Sequence, residues 1–206
     1  EEGEYNLSGG GVTYDPNTGR IIVVSFQSDT PKSTLFFLYS DDLGTTWHLC
    51  EKVTITGEPV EYALTYTPPT VLSCHDGAGA NVDLVVPVAV IYNDEGSFCV
   101  RVVYSSDGGM TWTMGADQIN YLGEGLYHNE SGTSEGTILE RKDGTLVLYA
   151  RCQYDSVNYF AYSVSEDHGL SWSEAKLSQI YTVNTQPMGH MYGSTPILVW
   201  GGNNAH

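Results

Sequence analysis

One eight-residue pattern, S-x-D-x-G-x-[S/T]-W, occurs three times in this chain without a gap: Ser40–Trp47, Ser105–Trp112 and Ser165–Trp172. Its aspartates, Asp42, Asp107 and Asp167, are spaced by 65 and 60 residues. Self-similarity at such a period marks a supersecondary unit that is repeated and stacked. The chemistry of each copy is that of a hairpin clasp. The Asp accepts hydrogen bonds from backbone N–H groups of its own turn. Gly44, Gly109 and Gly169 supply a positive φ that other residues take only at a cost. The following Ser or Thr hydroxyl caps the other side, and Trp47, Trp112 and Trp172 plug the hydrophobic layer beside the turn. These residues are therefore expected to be structural.

Around each clasp the sequence predicts four strands. In the first unit they are 11–14, 20–26, 34–40 and 46–52, with Asp15-Pro16-Asn17-Thr18-Gly19 as turn chemistry between the first two. The second unit has 70–74, 83–91, 97–105 and a strand from Thr111; the third has 135–140, 145–151, 159–165 and a strand from Ser171. A fourth begins with 188–191 and 196–200. Four antiparallel strands every ~60 residues predict an all-β propeller, with blades a little longer than the ~40–50 residues of WD and kelch repeats. The blade units fall at about 9–58, 66–115, 134–178 and 187–206.

Charge and composition exclude several functions. Eight Lys plus Arg against 25 Asp plus Glu give a net charge of −17, so no basic stripe for nucleic acid can form. An anionic ligand must be held by a few local cations against a repulsive background. The longest apolar runs, such as Leu84 to Ile91, are strand-sized and span no membrane. Cys50, Cys74, Cys99 and Cys152 are widely spaced, with no zinc-type cluster. Disulfides and buried thiols are equally compatible with that spacing. No glycine-rich phosphate loop or nucleophile elbow is present, and no metal or cofactor is expected.

A second motif narrows the reading. Glu135-Gly-Thr-Ile-Leu-Glu140-Arg-Lys-Asp143-Gly144-Thr-Leu146 runs on to Arg151 and matches E-x(4)-E-L-x-D-G-x-L-x(4)-R, with Arg141 at the apolar position. Together with the Asp boxes, it resembles the sialidase (neuraminidase, exo-α-sialidase) superfamily, a six-bladed propeller. Asp boxes also occur in sortilin-type receptors, xyloglucanases and photosystem assembly factors, so by themselves they identify a fold. The resemblance implies that Glu135 is the base that activates a catalytic tyrosine. It implies that Arg151 is one of three arginines clamping the substrate carboxylate. Sialylated or other acidic glycans would then be the substrates, and a secreted, cell-surface or periplasmic location is expected.

Strand topology puts the same two residues together. Glu135 opens the innermost strand of the third blade and Arg151 closes the second, so antiparallel pairing sets them side by side at one mouth of the propeller. The Asp boxes fall on the opposite face, with Arg20, Arg141 and Lys142, while Arg101 lies mid-strand. A structural ion pair at a strand end is the competing reading of Glu135 and Arg151. Lys32 is a further candidate cation at the mouth. The mouth-side loops are 58–69, 92–96, 116–134, 152–158 and 181–187. The longest carries Tyr121, Tyr127, His128, Asn129 and Glu130, groups suited either to a sugar or to plain solvent exposure. His75-Asp76 falls in a far-face turn and is expected to be turn chemistry.

The resemblance also implies parts not found here: an Arg-Ile-Pro-type arginine and a general-acid Asp in the first blade, a third arginine in the fifth and a tyrosine in the sixth. No Arg precedes Arg20 or follows Arg151. Six blades need on the order of 360 residues. The chain is therefore expected to begin in the second blade and end early in the fifth. The rest of the propeller would come from the same protein or a companion chain. A noncatalytic carbohydrate- or protein-binding propeller, and an enzyme acting on another acidic glycan, are the alternatives.

Overall fold

A computed structural model describes residues 7–27, 34–50, 53–57, 60, 62–73, 82–92, 97–121, 132–152, 157–193 and 195–201. Among them there is no helix long and apolar enough to cross a membrane. The first sheet is an antiparallel meander of β1 (Leu7–Asp15), β2 (Arg20–Gln27), β3 (Thr34–Ser40) and β4 (His48–Cys50). The second contains β5 (Val53–Ile55), β6 (Tyr62–Leu64), β7 (Thr70–Val71), β8 (Leu84–Tyr92), β9 (Ser97–Ser105) and β10 (Trp112–Met114). The third is again a meander: β11 (Thr133–Glu140), β12 (Leu146–Cys152), β13 (Tyr159–Ser165) and β14 (Lys176–Tyr181). A hairpin of β15 (Met188–Tyr192) and β16 (Thr195–Val199) follows.

The continuous apolar run of β8 is explained by its neighbours. Leu84, Val86, Val88 and Val90 pack against Ile22, Val24 and Phe37 of the first sheet. Val85 points the other way, into a cluster with Ile138, Leu146 and Leu148 of the third. A sheet covered on both faces has no solvent side, so alternation disappears. Pro87 interrupts this strand without harm. It lies opposite the gap between β6 and β7, whose pairings end at Ala89 and resume at Val85. Lacking an N–H, it fits where no inner strand continues, and its carbonyl accepts the Thr65 hydroxyl at 2.9 Å.

The innermost strands of successive sheets touch one another. Gly10 N donates to Thr65 O at 2.8 Å, the Thr67 hydroxyl to Gly136 O at 2.6 Å, and Gly189 N to the Thr137 hydroxyl at 2.9 Å. They stack as the axial strands of a propeller, with β4 and β14 outside. Between blades the interior is dense: Phe37 stacks on Trp112 at 4.1 Å, and Trp112 is fully buried.

Several elements differ from the sequence expectation. Residues 53–55 form β5, which pairs parallel with β10 at the rim. Tyr62–Leu64, read as loop, is strand β6. The outer strand of the third blade starts at Lys176 and not at Ser171. Trp172 N is drawn to the Asp117 carboxylate and Ser173 pairs irregularly with Val164. Trp47 is 44 % exposed, so it does not plug a layer as Trp112 does.

Candidate active site at the strand ends of the third blade

β11 and β12 pair from Glu140↔Leu146 up to Gly136↔Ala150, then resume at Thr133↔Cys152. Ser134 and Glu135 therefore face Arg151 across a β-bulge, which re-aims side chains at a strand end. The same irregularity occurs in the first blade, where Gly9 and Gly10 face Ser25. In the third blade it carries a carboxylate. Arg151 Nη1 donates to Glu135 Oε2 at 2.8 Å, with both side chains about one-fifth exposed. Arg151 Nε donates to Asn184 Oδ1 at 2.7 Å. Among the described residues, Arg151 Nη2 has no acceptor and Glu135 Oε1 no donor. The arrangement thus leaves a guanidinium edge able to grip an anion and a carboxylate oxygen able to take a proton. Next to Glu135, the buried Ser134 hydroxyl has no partner among the described residues.

The remaining motif residues serve elsewhere. Glu140 is buried, and its Oε2 accepts both the amide and the hydroxyl of Ser73, at 2.7 and 2.8 Å, tying the third blade to the second. Asp143 and Gly144 shape the turn into β12: Thr145 N donates to Asp143, and Gly144 has φ +84°.

Leu146 pairs with Ser165, so the Asp boxes lie at the far end of the sheet from Arg151. All three boxes share one bonding scheme. The Ser hydroxyl donates to the Asp and accepts the Gly amide. The Asp also accepts the amide and hydroxyl of the residue before Trp. The indole N–H donates to the Gly carbonyl. These bonds hold Asp42 down to about 2, the Thr46 amide and hydroxyl contributing most. Burial raises Asp107 and Asp167, but the hydroxyls and amides of Thr111 and Ser171 outweigh it and the net direction is downward. Arg20 joins this face across two blades, bonding Asp41 at 2.8 Å and Gly108 O at 2.7 Å.

Other candidates separate from the site. Arg101 is fully buried mid-strand and donates to Gly115 O at 2.7 Å and to Thr56 O. Tyr121 packs against the core clusters of the second and third blades and is not an open loop residue. Lys32, His75, Asp76, Tyr127, His128, Asn129 and Glu130 lie outside the described residues, as does Cys74. Cys50, Cys99 and Cys152 are free thiols. Burial, with the Asp107 charge, pushes Cys50 up to about 11, and burial pushes Cys152 to about 11, so neither is a thiolate nucleophile. Among the described residues no three His, Cys, Asp or Glu side chains gather to hold a metal. An apolar cavity of about 390 Å³ lies among the axial strands, lined by Tyr66, Pro68, Met188, His190 and Val199. Among the described residues, Asn184 is the one partner of the Glu135–Arg151 pair that the sequence did not single out. Its signal was an Asn in a short linker, a residue type enriched at positive φ.

The fold and this strand-end pair define an Asp-box β-propeller, and the chain belongs to the BNR repeat-like domain family, whose model matches residues 5–202. It is 29% identical over 175 residues to a sialidase of Clostridium perfringens, covering 76% of this chain and 41% of that protein. It thus spans about two fifths of the curated relatives it matches. Among solved structures it resembles Hadza microbial sialidase Hz136, with TM-score 0.68, 17% identity, and 96% of this chain and 40% of that one covered. It also resembles an α-L-arabinanase of Penicillium chrysogenum, with TM-score 0.62, 20% identity, and 90% and 54% covered.

Proposed function

We propose that the protein is a glycoside hydrolase of the sialidase type, releasing terminal sialic acid or a related acidic sugar. Arg151 grips the sugar carboxylate through Nη2, which has no acceptor among the described residues. Glu135 takes the proton of a tyrosine nucleophile contributed by another blade, as chemistry with a tyrosine nucleophile requires. The observation that supports this most is the 2.8 Å contact of Arg151 with Glu135, half-buried at the mouth end and away from the Asp boxes. An arginine suits the role because its planar fork matches a carboxylate and stays charged. Substrates of this kind sit at cell surfaces, which favours a secreted, surface or periplasmic protein.

A second reading rests on the same contact. The Glu135–Arg151 pair is neutral as a whole, which also suits a neutral pentoside, and the similarity to an arabinanase fold lends it support. The two are separated by offering the full-length protein an aryl sialoside and an aryl arabinofuranoside. Release of free sialic acid is expected. Turnover of the arabinofuranoside alone would replace the first reading with the second, and binding without product would make the protein a lectin-like propeller.

A further inference from the structure

We infer that Asn184 is a positioning residue that fixes the Arg151 guanidinium for anion capture, an inference resting on the proposed role of Arg151. An arginine at a strand end has four rotatable side-chain bonds, and one contact to Glu135 leaves it free to swing about that contact. The second contact removes this freedom: Asn184 Oδ1 accepts from Nε at 2.7 Å while Glu135 Oε2 accepts from Nη1 at 2.8 Å. Two acceptors on different elements define the guanidinium plane, and they leave Nη2 as the nitrogen without an acceptor among the described residues.

Asn184 is itself rigidly held. It sits in the linker between β14 and β15 with φ +56°, a left-handed conformation that Asn tolerates better than most residues. The flanking threonines anchor that linker at both ends. Thr182 is buried and its amide donates to Asn158 O at 2.9 Å. Its hydroxyl lies 3.0 Å from that of Thr185, which donates to Gly201 O at 2.9 Å. The linker thus joins the third blade, the loop before β13 and the end of the β15–β16 hairpin.

The chemistry of the amide matters as much as its place. A neutral carbonyl oxygen orients the cation without further cancelling its charge, already matched once by Glu135. An aspartate there would orient equally well but leave a net negative group of three, repelling a carboxylate in a chain whose net charge is −17. The neutrality of Asn184 therefore avoids a net negative charge that would repel an anionic sugar.

The test compares the full-length wild type with two variants, Asn184→Gly and Asn184→Asp. Glycine keeps the left-handed backbone and removes only the amide. Solvent exchange of the Arg151 Nε–H, followed by side-chain NMR, should be at least tenfold faster in Asn184→Gly with an unchanged melting temperature. Asn184→Asp should keep that proton protected. For sialoside turnover, both variants should raise KM on the order of tenfold while kcat moves less than about threefold. Unchanged Nε–H exchange in Asn184→Gly overturns the inference. Faster exchange in a protein that hydrolyses no sialoside leaves the positioning role standing and removes the hydrolytic reading instead.

Discussion

Glu135 and Arg151 are sixteen residues apart in the chain, yet a β-bulge brings their charged atoms to 2.8 Å at the mouth end of the third blade. The bulge sets Ser134 and Glu135 against a single residue, and the Ser134 hydroxyl is left buried without a partner among the described residues. Unsatisfied polar atoms and interrupted ladders cost stability, and they concentrate where a side chain must be aimed. The far end of the same sheet carries the Asp box, where the Ser, Asp and Gly of the clasp are bonded to one another and to the residues that follow.

Acid should unfold the protein through those clasps. Asp42 titrates at about 2 in the fold against an ordinary 3.8, and Asp107 and Asp167 shift the same way. A depressed folded value means that the ionised form stabilises the fold. That contribution is complete above the unfolded value and lost as pH falls through the folded one. The melting temperature should therefore be level above about pH 4.5 and fall steeply between about pH 4 and 2. Asp107→Asn should lower the level part and make the acid fall shallower in a scan of thermal unfolding against pH.

Leu43 occupies the left-handed position before the box glycine, with φ +57°, and its side chain is 79 % exposed. The second blade places Gly108 there, at φ +66°. A left-handed conformation costs a leucine about 1–2 kcal/mol, which Asn largely avoids. Leu43→Asn should stabilise the protein by about 0.5–1 kcal/mol in denaturant titration, with no apolar burial lost.

Trp112 is fully buried and stacked on Phe37, so it holds the first blade to the second. Trp112→Ala should cost about 3–5 kcal/mol. For a chain of this length that lowers the melting temperature by on the order of 10 °C.

Glu140 belongs to the same sequence motif as Glu135, but it bonds Ser73 of the neighbouring blade twice. Charge-assisted hydrogen bonds of this kind contribute about 1.5–3 kcal/mol each and are not strictly additive. Glu140→Ala should destabilise by about 3 kcal/mol in equilibrium unfolding. Adding Leu43→Asn should recover about 0.5–1 kcal/mol of that loss without touching the mouth.

Much of this was legible in the sequence because it was local. The box residues and their turns are fixed by chemistry within eight positions, and strands such as β2, β9 and β12 are bounded by that turn chemistry. The Glu135–Arg151 pairing followed from strand order alone. What escaped depended on distant partners. β5 exists because β10 offers it an edge, and β6 because the Ala89–Ile91 stretch of β8 does. Trp172 is held off strand geometry by Asp117, 55 residues away. Tyr121 is covered by two blades. Asn184 reaches Arg151 from the linker that leaves β14 of the same blade, a contact that no periodicity encodes.

On the proposed function, the Glu135–Arg151 pair performs chemistry and is more than a strand-end ion pair. The most direct test is sialoside hydrolysis by the full-length protein beside Arg151→Ala and Glu135→Ala, with melting temperatures measured in parallel. A partly exposed ion pair at a strand end supports stability only modestly, by about 1 kcal/mol. Both substitutions are expected to lower kcat/KM by at least about 100-fold while the melting temperature falls by no more than a few degrees. Hydrolysis undiminished in either variant, or lost only in proportion to unfolding, would contradict it.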